Sequence, residues 1–200
     1  LMGIAADHCC IQYRMLNRGK GPAVHSLRAQ ADRRAYQNYM KHVIELTDNL
    51  ELKQAMIVSI DAPNGAVTGV NTMLGAHYDA KAVIIASGTY LDATVITGDC
   101  VYPSGPDGMH AAIGLAENLR ALGLPLRRFK TGTPPRINRR SVDFSKMELQ
   151  PGDTETEPFS FTTRHKPENR AVCHLTYTNE ETHRIIRENF HRSPMFDGTI

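Results

Sequence analysis

The stretch Ala82-Val83-Ile84-Ile85-Ala86, broken at once by Ser87-Gly88-Thr89, constrains the fold more than any other part of the chain. An apolar, β-branched run with no polar alternation predicts a strand buried on both faces, as in the middle of a sheet covered by helices. Small residues directly after it bring bare backbone to the carboxyl edge of that sheet. Open α/β folds bind nucleotides and cofactors at this edge. The same pattern also ends strands that hold no ligand, so it raises a cofactor site without identifying one.

The 200 residues suit one large domain or a domain and a half. A formal charge of only +2 excludes a bulk-charge argument for nucleic acid or membrane, so any basic function is local. Cys9, Cys10, Cys100 and Cys173 have neither paired metal spacing nor disulfide-scaffold density, which predicts a reduced, cytoplasmic protein. No apolar run reaches membrane-spanning length and no signal peptide opens the chain. Leu1-Met2-Gly3-Ile4 and the segment 196–200 read as the ends of an internal excerpt.

In chain order, residues 1–10 suit a helix and 11–16 a half-buried strand. Asn17-Arg18-Gly19-Lys20-Gly21-Pro22 is a glycine-rich loop leading into a helix, with Pro22 suited to its first position. Val24, Leu27, Ala31, Ala35, Tyr39 and Val43 then recur at helical spacing, predicting one helix to about Leu46 with Arg28, Arg33, Arg34 and Lys41 on its other faces. The loop lacks P-loop spacing; an anion site at a helix start and a plain turn beside a solvated basic face both fit it. Short strands are predicted at 50–55, 56–61, 66–73 and 77–86, with Asn64-Gly65 and Leu74-Gly75 as turns, a β-meander that feeds the apolar strand.

Residues 93–108 read as loop, and Met109–Leu122 as a helix with Met109, Ala112, Ile113, Ala116 and Leu119 on one face, stopped by Gly123. A strand at 126–129 then leads into Lys130-Thr131-Gly132-Thr133-Pro134-Pro135-Arg136, whose hydroxyls, glycine and two cations suit phosphate or ribose, or equally a rigid turn with surface charges. Residues 138–170 are polar with little periodicity. A strand at 170–178 and a capping box of Thr178 and Glu181 precede a helix over 180–190. His183, Arg184, Arg187, His191 and Arg192 give this end a basic face, solvated or turned to RNA. None of the nine histidines has a zinc-type spacing, and Cys9-Cys10 reads as buried packing.

Four segments carry a family resemblance: NRGKGPAVHSLRAQADR at 17–33, ASGTYLD at 86–92, KTGTPPRI at 130–137 and HLTYTNEETHRIIRENFHRSPMF at 174–196. In this order they closely resemble the FAD-dependent tRNA uridine-5-carboxymethylaminomethyl modification enzyme family, MnmG or GidA. The resemblance implies an α/β architecture: a Rossmann-like FAD/NAD(P)-binding fold with a β-meander, plus part of an α+β insertion domain. Residues 1–135 would be a partial FAD-binding domain without its N-terminal G-x-G-x-x-G, and 136–200 the start of an NAD-binding-like insertion. It further implies modification of C5 of the tRNA wobble uridine, with methylene-tetrahydrofolate as carbon donor, FAD and NADH as redox cofactors, the GTPase MnmE as partner, and a homodimer.

Carried over residue by residue, the cofactor positions are Ile57, Ser87, Gly88, Thr89 and Ala112. Ile57 would lend backbone to the adenine end of FAD, and Gly88 would let the chain pass the cofactor without a Cβ. Many relatives have a serine where this chain has Ala112, so only backbone contact is open there. Lys130, Thr131, Gly132, Thr133 and Arg136 would lie near the flavin and the substrate, their cations balancing reduced flavin or holding RNA phosphate. No catalytic role transfers to the four cysteines, which match neither family cysteine motif. Two rivals remain: the folate- and FAD-dependent tRNA uridine methyltransferase family, which lacks the 174–196 segment, and a non-catalytic RNA- or subunit-binding module.

Overall fold

The computed structural model describes residues 1–196; the last four residues of the expected excerpt end and insertion domain lie outside them. The chain divides into two compact units, each discontinuous: residues 1–52 with 137–178, and 53–136 with 179–200. Compactness therefore groups 1–52 with 137–178 rather than following a 1–135/136–200 division.

In the first unit, helix α1 (Met2–Cys9) runs straight into strand β1 (Cys10–Leu16), as expected. The single helix predicted from Pro22 to about Leu46 is corrected. Ser26–Ala31 is strand β2, antiparallel to β1, and the helix α2 occupies only Arg33–Glu45. Asn17 and Gly21 take positive φ values of 61° and 94° in the connecting loop and turn the chain back on β1. Asp32 then starts the helix, its carboxylate accepting from the amides of Arg34 (2.9 Å) and Ala35 (3.0 Å). The apolar spacing at 24–31 served a hairpin, because β1 supplied a ladder that periodicity does not reveal.

The other edge of β1 is closed by irregular chain from far along the sequence. The amide of Asp153 donates to the Tyr13 carbonyl (2.9 Å), Tyr13 donates to Asn169 Oδ1 (2.7 Å), and the amides of Arg170 and Ala171 reach the Ile11 carbonyl. Gln12 and Tyr13, on opposite faces of β1, are each only 1% exposed. The buried Gln12 amide donates to the carbonyls of Gln150 and Ala171 at 3.1 and 3.2 Å. Strand β8 (Glu148–Gln150) pairs with β9 (Cys173–Leu175), the formed part of the strand expected at 170–178.

In the second unit the expected meander is present: β3 (Ile57–Asp61), β4 (Gly69–Thr72) and β5 (His77–Asp79) form one antiparallel sheet in that order. Asn64 (φ 58°) and Gly65 (φ 79°) make the first turn. Helix α3 (Ile113–Ala121) packs on this sheet and places Leu115 and Leu119 against Ile60, with Ile57, Val67, Val70, Val83, Leu91 and Leu126 around them. Leu115 replaces Met109 and Ile113, which are 51% and 42% exposed, on the buried face. Asn118 of α3 serves β3 as a substitute strand: its Oδ1 accepts from the Ile60 amide (2.9 Å) and its Nδ2 donates to the Ile60 carbonyl (3.4 Å). At the helix end the Gly123 amide donates to Arg120 (3.0 Å) and the Leu124 amide to Leu119 (3.0 Å), the paired bonds of a Schellman cap.

Four further expectations are corrected. The segments 50–55, 82–86 and 126–129 are not strands, and 93–108 is not simply loop. Thr94–Thr97 (β6) and Cys100–Pro103 (β7) form a hairpin around Gly98-Asp99. Glycine at the first central position of a two-residue turn is a hairpin signal. The 82–86 segment lacks a cross-strand partner among the described residues and is no strand. Val83 packs on the core while Ile84 stands 92% exposed. Hydrophobicity drives burial, but a strand exists only where a neighbour takes up its backbone donors and acceptors.

The final helix, α4 (Glu180–Glu188), is capped by Asn179, whose side chain accepts from the Thr182 amide (2.9 Å), one residue beyond the expected Thr178 cap. The architecture is mixed α/β with antiparallel strands, as the fold class required. Among the described residues no helix is long and apolar enough to cross a membrane.

Candidate functional site

Every residue expected at the cofactor and substrate positions lies in the second unit, between Ile57 and Arg136. Ile57 opens β3 opposite Thr72, and its partly buried side chain packs on the core, leaving its backbone as the available contact. Ser87-Gly88-Thr89 forms a turn closed by the Tyr90 amide donating to the Ser87 carbonyl (3.0 Å). Gly88 sits at φ 53°, and no atom lies within 4 Å of the place a Cβ would occupy. Its backbone conformation, not crowding within the protein, accounts for glycine here. The Gly88 and Thr89 amides donate to no acceptor among the described residues.

Ala112 is brought to this turn. Its amide donates to the Tyr90 carbonyl (2.8 Å) and its carbonyl accepts from the Asp92 amide (3.2 Å), a parallel bridge between Leu91 and Ala112. The ring of Tyr90 lies across Gly105, where an added Cβ would come within 2.7 Å of it. Gly105 donates to the Met109 carbonyl (2.7 Å), so the 104–112 loop is folded onto the 87–92 turn. Ala112 is also the N-cap residue of α3 and makes no side-chain cap bond.

Asp92, which sequence reasoning passed over, ties the turn to two other segments. Its backbone has φ 47°, an uncommon conformation for a non-glycine residue. Its carboxylate meets Arg120 of α3 at 3.0 Å and Arg128 at 3.4 Å, and Arg128 also donates to the Asp92 carbonyl (3.1 Å). Arg128 is two residues before Lys130, so this clamp connects the 87–92 turn with the start of the KTGTPPRI segment. The signal available in the sequence was the acidic residue ending ASGTYLD beside two downstream arginines. Lys130, Thr131, Gly132, Thr133 and Arg136 themselves are exposed and outside regular structure. Neither Lys130 nor Arg136 has an ion-pair partner among the described residues, so both charges are available to a ligand.

The basic end at α4 is partly neutralised. Arg184 is held by Glu181 (2.6 Å) and Glu188 (2.7 Å), and Arg192 by Asp99 (2.9 Å). In the first unit, Asp7 has a role that no local motif signals. Its buried carboxylate accepts from the amides of Phe159 (2.8 Å) and Ser160 (3.0 Å), from Thr163 Oγ1 (2.7 Å) and from the Tyr13 hydroxyl (3.2 Å). Burial alone would raise its pKa, but these donors together outweigh burial and hold it below the ordinary carboxylate value. Cys9 and Cys10 are buried, free thiols, and burial raises the pKa of both. That disfavours the thiolate on which nucleophilic or redox chemistry depends.

Comparison with known proteins matches the profile described as Glucose inhibited division protein A to residues 1–200. Proteins called tRNA uridine 5-carboxymethylaminomethyl modification enzyme MnmG, from Clostridium botulinum and Caldicellulosiruptor saccharolyticus, are each 54% identical over 199 residues, with all of this chain and 32% of theirs covered. The structure of Aquifex aeolicus GidA in its form I crystal superposes with a TM-score of 0.90 at 44% identity, covering 100% of this chain and 34% of that one. The chain thus spans about a third of the length of these relatives.

Proposed function

Because the chain belongs to the glucose-inhibited division protein A family along its whole length, we propose that it is part of a FAD-dependent enzyme that modifies C5 of the wobble uridine of tRNA. The observation that carries this reading is the convergence, within residues 53–136, of the open Gly88 turn, Ala112 and the Asp92 clamp that leads into KTGTPPRI. These residues fit a cofactor. Among the described residues the Gly88 and Thr89 amides are unused donors, beside open space where a Cβ would stand.

In this reading FAD, when bound, supplies the redox chemistry. Ile57 contributes backbone at its adenine end, and Ser87, Gly88 and Thr89 line its path with amides and hydroxyls. Ala112 acts by fixing the turn, since its amide is already committed to Tyr90. Lys130 and Arg136 attract RNA phosphate, and Thr131, Gly132 and Thr133 orient it with hydroxyl and backbone donors. Residues 1–135 then belong to the FAD-binding part and 136–200 begin the insertion, although compact packing partitions the chain differently. NADH as reductant, methylene-tetrahydrofolate as carbon donor, the GTPase MnmE as partner, a homodimeric state and a cytoplasmic location complete the proposal. Catalytic residues are expected outside the 200 residues.

The test is to purify the complete protein, record its flavin absorbance, and analyse wobble uridine in tRNA incubated with it. Bound flavin and a carboxymethylaminomethyl-type product are expected. A colourless protein that takes up no FAD overturns the reading, and a 5-methyluridine product transfers it to the methyltransferase family.

A further inference from the structure

In the first unit, a groove of about 520 Å³ is lined by Arg14, Arg18, Arg28, Gln150 and Asp153 among others, and by none of the ten residues assigned above to cofactor or substrate. Arg14 on β1 and Arg28 on β2 are direct cross-strand partners. Such partners share a face with Cβ atoms about 4.5–5.5 Å apart, and like charges placed there repel. Among the described residues no carboxylate pairs with either of them. Arg14 donates to the neutral side-chain oxygen of Gln150, and Arg28 has no acceptor among the described residues. Asp153, the carboxylate of this groove, is already held by Arg18 (2.8 Å) and by the Met15 amide (2.6 Å). Glu148 and Glu155 line the adjoining groove but not this one, which leaves the Arg28 side the less acidic of the two.

Guanidinium groups present rigid, forked donors that match phosphate oxygens, and two of them side by side match two edges of one phosphate. We propose that Arg14 and Arg28 form a phosphate-binding site in this groove, occupied by a phosphate of an RNA backbone or of a small phosphorylated molecule. The anion converts a repulsive cross-strand pair into a bridged one. Gln150 holds Arg14 in place, and the Arg18–Asp153 pair limits the groove. Only the RNA source rests on the function proposed above.

The test uses the complete protein and its Arg28→Gln and Arg28→Lys variants. Pyrophosphate is titrated against thermal stability at constant ionic strength, and a short fluorescent RNA is bound over a salt series. Arg28→Gln is expected to weaken one ligand about tenfold, with a salt slope for RNA lower by about 1. Arg28→Lys should recover part of the loss. A loss confined to RNA identifies the backbone source and one confined to pyrophosphate the free source; either supports the site. Unchanged affinity for both overturns it. A lower Tm of the ligand-free Arg28→Gln protein also overturns it, because removing a repulsive charge should leave Tm equal or higher. Flavin absorbance does not depend on Arg28, so a colourless wild-type protein would fail the FAD reading and leave this one standing.

Discussion

Replacing Gly88 by valine and by asparagine separates two reasons for a glycine at that turn. Gly88 has φ 53°, where an L-residue costs about 1–2 kcal/mol and a β-branched one up to about 3 kcal/mol. Asparagine enters this region more easily, so Gly88→Asn should cost under about 1 kcal/mol. The structure adds no packing penalty in either case, because no atom lies within 4 Å of the new Cβ. On conformation alone, Gly88→Val should therefore weaken the turn and Gly88→Asn should be nearly silent. If the open space beside Gly88 is the cofactor's, both side chains intrude on it. A forced contact of about 1–3 kcal/mol corresponds to roughly 5–150-fold weaker FAD. The assay is the flavin-to-protein absorbance ratio of the complete protein after desalting, with a urea melt of each variant. Both variants should lose flavin while Gly88→Asn stays folded. A Gly88→Asn protein retaining stoichiometric flavin would refute the placement of the cofactor beside this turn.

Three other outcomes follow from particular residues. Asp7→Ala strands two backbone amides and removes the Thr163 hydroxyl's acceptor at a buried carboxylate, at a cost of about 3–5 kcal/mol. Amide exchange at Phe159 and Ser160 should accelerate at least about 100-fold, and unchanged protection would contradict the role of Asp7. Because the folded pKa of Asp7 is lowered, its contribution is fully present above the unfolded carboxylate value near 3.8 and is lost as pH falls below it through the folded value. The same two amides should therefore lose protection below about pH 4 in wild type but show no such step in Asp7→Ala. Ala112→Ser supplies the missing N-cap hydroxyl of α3 and should stabilise by about 0.5–1 kcal/mol, read as a higher denaturation midpoint; no gain would mean the hydroxyl does not reach the helix amides. Lys130→Ala and Arg136→Ala should weaken tRNA binding or turnover and leave FAD affinity nearly unchanged, and unaltered modification in both would remove KTGTPPRI from the substrate site.

Local chemistry made much of this structure legible in advance. The Asn64-Gly65 turn, the helix stop at Gly123 and α1 running into β1 rest on interactions within a few residues, and the meander on pairing between strands adjacent in the chain; each was visible in the sequence. The hairpin of β6 and β7 was equally local, with Gly98-Asp99 as its signal, but proline and glycine downstream masked it. The expected site segments were legible as motifs; their mutual arrangement was not. That Ala112 bridges Tyr90 and Asp92, and that Asp92 gathers Arg120 and Arg128, depends on contacts between residues 20 to 36 positions apart.

By itself the sequence determined which stretches are apolar, where the chain turns, and which family motifs occur in which order. Tertiary structure decided which extended stretches became strands, because backbone pairing needs a neighbour that hydrophobicity does not name. Ser26–Ala31 found β1 and became a strand despite a helical apolar spacing, whereas Ala82–Ala86 found no ladder and stayed unpaired despite its β-branched residues. It also decided the fate of isolated polar groups. Asp7 became a buried anchor, and Arg14 and Arg28 came to face each other, since only folding brings the donors, acceptors and like charges of distant segments within reach.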